Sequence, residues 1–126
     1  DESARLDWAV EIVHNAKVQR PSVCNAVETV LIHENAVERI LPAVLDRLAE
    51  SGVTIHGDET TQANFFAAVP ATEEDWAAEY HDLDLAVKVV SGLDEALDAL
   101  VAARATEGAA LLDVLSARVA RHMPGV

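Results

Sequence analysis

Residues 27–57 read VETVLIHENAVERILPAVLDRLAESGVTIHG, and their pattern sets the fold class. Val27 to His33 is short and rich in β-branched residues, which predicts a buried strand. Glu34-Asn35 then supplies a start signal for a helix over 36–50, whose apolar positions Val37, Ile40, Leu41, Val44, Leu45 and Leu48 share one face. Pro42 interrupts that pattern, at a cost of roughly 3 kcal/mol in a helix interior. Ser51-Gly52 fits a C-cap, Val53 to His56 forms a second short strand, and Gly57-Asp58 turns the chain.

Upstream, Leu6, Ala9, Val10, Val13, Ala16 and Lys17 recur at steps of three and four, a helical stripe over 6–18 with Asp1, Glu2 and Ser3 suited to its start. Pro21 disfavours helix at Arg20, so this helix ends before the only cysteine, Cys24. Downstream, 60–69 is weakly helical, and 70–75 reads as a loop with a helix start at Thr72. Leu83 to Val90 is a third strand, with Leu83, Leu85, Val87 and Val89 alternating. Ser91-Gly92 breaks it, and a helical stretch follows from Leu93 to about Met123. Helix and strand alternate, which predicts an α/β layer of about three strands with crossover connections.

The totals bound the function classes. At 126 residues the chain holds one core. Nine basic against 22 acidic residues, a formal charge of −13, argue against nucleic-acid and anionic-membrane partners, which need clustered Lys and Arg. One cysteine forms no internal disulfide, and no apolar run approaches the ~18 residues of a membrane span, so the expectation is a cytoplasmic protein. His14, His33, His56, His81 and His122 lack metal-ligand spacing with acidic or sulfur partners, and no metal is assigned. Trp8 and Trp76 read as packing residues.

Cys24 follows a proline-set loop without glycine and precedes a strand. Such a thiol is either a small apolar side chain or a nucleophile. Its N–H and that of Asn25 could donate to an oxyanion, and Lys17 and Arg20 could lower the thiol pKa or meet a substrate anion. Asn15 and Asn25 could shape the loop.

The stretch NAKVQRPSVCNAVETVLIH, residues 15–33, resembles the nucleophile segment of the gamma-glutamyl phosphate reductases, or glutamate-5-semialdehyde dehydrogenases, of the aldehyde dehydrogenase superfamily. A second block, PATEEDWAAEYHDLDLAVKVV over 70–90, resembles the same family independently. The resemblance covers about residues 1–100 and implies a partial aldehyde-dehydrogenase-type catalytic domain, with 101–126 an unaligned helical tail. It implies that Cys24 is the nucleophile and that Glu79 holds the nicotinamide ribose of NADPH. The substrate would be gamma-glutamyl phosphate, in proline biosynthesis. The family's cofactor domain is not matched here, so a homo-oligomer or a second chain supplying that domain is an expected partner. The alternative is a non-enzymatic α/β binding or assembly module in which Cys24 is inert.

Overall fold

The computed structural model describes residues 1–103. Four helices and four strands follow in the order α1 (Leu6–Val18), β1 (Thr29–His33), α2 (Val37–Glu50), β2 (Thr54–Gly57), α3 (Glu59–Asn64), β3 (Val69–Pro70), β4 (Asp84–Val90) and α4 (Leu93–Ala103). The strands form one parallel sheet in the order β1-β4-β2-β3. The mixed α/β architecture expected from the alternation is present, with a fourth strand where 60–69 reads as weak helix. That segment divides into α3 and the two-residue β3, which pairs His56 with Val69 and Gly57 with Pro70. A strand this short carries no alternation, and its proline stands where edge strands tolerate one.

β4 runs between β1 and β2, with Ala86 opposite both Thr29 and His56. Its central place explains a departure from simple alternation. Leu85, Ala86 and Val87 are all buried, so both faces of the sheet are covered there. Helix α2 packs against α1, β1 and β2, and carries Leu41, Val44, Leu45 and Leu48 into the core beside Ile55 and Leu85. A 3-10 turn, Glu34–Ala36, precedes it, and α2 continues through Pro42 because its buried face outweighs the lost bond.

The start of α1 differs from expectation. Its N-cap is Arg5, with no side-chain cap, while Asp1 accepts from the N–H and hydroxyl of Ser3 in a separate turn. Trp8 is 60% exposed rather than packed, and the Arg5 guanidinium lies 4.6 Å from its ring centre. Trp76 is half-buried, with Lys88 Nζ 5.5 Å from its ring. At the end of β2, Gly57 has no room for a side chain, since a Cβ would stand 2.6 Å from Thr61 Cγ2. The expected tail over 101–126, His122 with it, lies outside the described residues beyond Ala103. No described helix is long and apolar enough to cross a membrane.

Candidate active site

Cys24 lies in the loop between α1 and β1, and two successive turns shape that loop. Val23 N–H donates to Arg20 O (3.3 Å), and Ala26 N–H donates to Val23 O (3.1 Å). The base is closed by Val27 N–H donating to Ala16 O at 3.0 Å, which joins the last turn of α1 to the approach to β1. The turns share Val23, and Cys24 is exposed as the first central residue of the second. Pro21 sets this course by denying Arg20 the helical conformation, so α1 cannot run into the loop.

A cleft of about 540 Å³ opens beside the loop, lined by Asn15, Ala16, Gln19, Arg20, Val23, Asn25 and Ala26. Three residues singled out in the sequence, Asn15, Arg20 and Asn25, therefore meet on one surface. Cys24 itself is flanked by the lining residues Val23 and Asn25.

Lys17 occupies a different position from these. It is wholly buried, and its Nζ lies 3.4 Å from Glu28 Oε2. Glu28 is itself only 8% exposed, and its second oxygen is buried without a hydrogen-bond partner among the described residues. The same Oε2 accepts the backbone N–H of Tyr80 at 3.0 Å. One carboxylate oxygen thus meets both α1 and the segment that carries Glu79.

Glu79 is half exposed, with Oε2 3.5 Å from His81 Nε2. The chain turns sharply just after it, because His81 adopts φ +53°, a left-handed conformation uncommon outside glycine. Behind this turn lies a polar cluster. His56 Nε2 is 2.8 Å from Asp84 Oδ1, and its Nδ1 is 3.3 Å from Asp75 Oδ1. Tyr80 stacks on His56 at 5.0 Å and donates its hydroxyl to Asp75 at 2.6 Å. Burial drives the Tyr80 hydroxyl well above the ordinary tyrosine range, and the bond to Asp75 and the charges of Asp75, Asp84 and Glu28 add to it.

Asp75 shifts the other way. Burial alone would raise its pKa, but the N–H of Thr72, the hydroxyls of Tyr80 and Thr72 and the nearby His56 together hold it below 3.8. The acid is thus the acceptor for Thr72, and the ordered element behind the expected helix start is a single 3-10 turn, Asp75–Ala77. A pKa lowered by folding adds stability that is present above the unfolded value and is lost as pH falls through the folded value. Asp75→Asn is expected to cost about 1 kcal/mol at pH 7. In urea titrations, the gap between variant and parent should close as pH drops below 3.8.

Sequence reasoning did not identify Glu28, His56, Asp75, Tyr80 or Asp84 as a connected set. One signal was available for the first of these. Lys17 falls on the apolar stripe of α1, and Glu28 lies within the largely apolar run 27–32, so each puts a charge on a buried face. Two such positions of opposite sign suggest each other as partners.

No protein-family profile matches the chain. Curated relatives do. Gamma-glutamyl phosphate reductase of Thermobifida fusca is 58% identical over 97 residues, which is 77% of this chain and 23% of that protein. The enzyme of the same name from Leifsonia xyli is 56% identical over 98 residues, 78% of this chain and 23% of its own length. In three dimensions the chain is similar to the crystal structure of gamma-glutamyl phosphate reductase from Thermotoga maritima. The TM-score is 0.77 at 46% identity, covering 79% of this chain and 24% of that one.

Fold and comparison together define an α/β segment similar to part of a family of reductases. The family is that of the gamma-glutamyl phosphate reductases, to which the chain belongs as a partial segment. It spans about a quarter of the length of the curated relatives it matches.

Proposed function

We propose that this chain supplies the nucleophile segment of an NADPH-dependent gamma-glutamyl phosphate reductase acting in proline biosynthesis in the cytoplasm. The observation that carries the reading is the placement of Cys24. It is the sole cysteine, exposed in the second of two successive turns, beside a cleft on which Asn15, Arg20 and Asn25 converge.

In the proposed reaction the Cys24 thiolate attacks the acyl carbon of gamma-glutamyl phosphate. A C–S bond forms, the C–O bond to phosphate breaks with its electron pair, and a thioester remains on Cys24. The Cys24 N–H takes no part in the turn bonds of Val23 and Ala26, so we assign it to the developing oxyanion. Arg20, on the cleft wall, would neutralise an anionic group of the substrate. When bound, NADPH supplies the hydride. Addition of that hydride to the thioester carbon forms the C–H bond and leaves a thiohemiacetal on Cys24. Its collapse breaks the C–S bond, restores the Cys24 thiolate and releases glutamate-5-semialdehyde.

Glu79 fits a role in cofactor binding. Its carboxylate is half exposed and is an acceptor of the type that pairs with two ribose hydroxyls. We assign the remaining cofactor contacts to protein beyond the described residues, on this polypeptide or a partner chain.

Acylation tests the nucleophile without requiring turnover. Incubated with gamma-glutamyl phosphate, the chain is expected to carry a thioester on Cys24 that mass spectrometry detects and that Cys24→Ser abolishes. A chain left unacylated, whose thiol reacts with iodoacetamide as one titrating near ~8.5 does, would contradict the proposal.

A further inference from the structure

Glu28 lies four positions beyond Cys24 and stands away from the cleft, yet it touches both halves of the candidate site. Its Oε2 receives Lys17 Nζ from α1 at 3.4 Å and Tyr80 N–H from the Glu79 segment at 3.0 Å. Its own carbonyl accepts Ala86 N–H of β4 at 3.0 Å, so the residue is fixed to the sheet as well. The Cys24 loop is closed immediately beside it, where Val27 N–H meets Ala16 O. Lys17 directly follows Ala16, and Glu28 directly follows Val27. The backbone bond and the ion pair are therefore consecutive rungs across the base of one loop, and the second rung also holds Tyr80.

From this we infer that Glu28 is a positioning residue that ties the Cys24 loop to the Glu79 segment through a single carboxylate oxygen. The inference rests on the reading of Cys24 and Glu79 as site residues. Its chemistry favours an acid over an amide. A carboxylate accepts from Lys17 and from the Tyr80 N–H at once, and both bonds are strengthened by its charge. Burial at 8% exposure removes the water that would otherwise compete for them. Displacement of either segment then shifts the oxygen that also holds the other.

Amide hydrogen exchange on the full chain tests this, with Glu28→Gln as the variant. Gln keeps an acceptor for Tyr80 but loses the charge. Exchange at Tyr80 is expected to accelerate roughly fivefold to tenfold more than exchange at Leu85 and Val87 of the central strand. Carboxamidomethylation of Cys24 should also displace the Tyr80 amide resonance in the parent and leave it in place in the variant. If Glu28→Gln fails to fold because Lys17 has lost its partner, the double variant Lys17→Met, Glu28→Gln removes that charge and the same comparison is made. Acceleration shared equally by Leu85 and Val87, an unchanged Tyr80 amide, or a resonance displacement that persists in the variants would each overturn the inference. These readouts are independent of acylation. Loss of thioester formation alongside an intact Tyr80 response would therefore overturn the nucleophile reading and leave the coupling standing.

Discussion

Lys17→Met is expected to cost about 3–5 kcal/mol, one of the two largest effects of a single substitution in this chain. The reason is what the change leaves behind. Lys17 is wholly buried and Glu28 nearly so, with the two groups 3.4 Å apart. Without the ammonium, Glu28 keeps the Tyr80 N–H but becomes a buried charge with no counter-charge, and its second oxygen is already without a partner among the described residues. Methionine fills much of the lysine's volume, so cavity formation contributes little. Against a total stability of about 5–15 kcal/mol, the loss should lower the urea midpoint by about 2 M or remove the transition altogether. The double variant with Glu28→Gln should recover most of the loss, since a neutral amide at position 28 still accepts from Tyr80. Equal destabilisation of single and double variants would show that the two residues are not energetically coupled.

The same pair shows where reading the sequence reaches its limit. Apolar spacing located α1 and α2, and short runs that were β-branched or alternating located three of the four strands. Lys17 fell on the stripe of α1, but periodicity reports which face a residue occupies and not what lies opposite. The partner, Glu28, comes from the segment just before β1, and the Tyr80 N–H from a segment 52 positions further on. β3 was hidden for a related reason. Two residues at a sheet edge become a strand only through pairing with β2, and their own side chains are exposed. For the site, the loop around Cys24 was legible because Pro21 and the strand after it constrain the backbone locally. The meeting of Asn15, Arg20 and Asn25 on one cleft depends on how the last turn of α1 faces the loop. The His56–Asp75–Asp84–Tyr80 cluster joins β2, β4 and the turn between β3 and β4, and no spacing in the chain announces it.

Leu45→Ala is the second large effect, expected at about 2–5 kcal/mol. Leu45 is fully buried on α2, between Leu41 and Leu48, which are equally inaccessible, and the cluster they form reaches Ile55 of β2 and Leu85 of β4. Truncation removes the transfer free energy of the lost carbons and leaves a void between helix and sheet. Collapse around that void is limited, because α2 is held against α1, β1 and β2 together. Two comparisons isolate the cause. Leu45→Met conserves volume and should cost less than about 1.5 kcal/mol. Ile12→Ala removes apolar carbons from a side chain that is 64% exposed, so the change should stay within about 0.5 kcal/mol. Equal losses for Leu45→Ala and Ile12→Ala in urea titrations would place the core elsewhere than beneath α2. The loss at Leu45 also differs in kind from that at Lys17. A void under α2 lowers the stability of the whole unit and should speed exchange at Leu85, Val87 and Tyr80 together. An unpaired Glu28 acts first on the two segments that meet at its carboxylate.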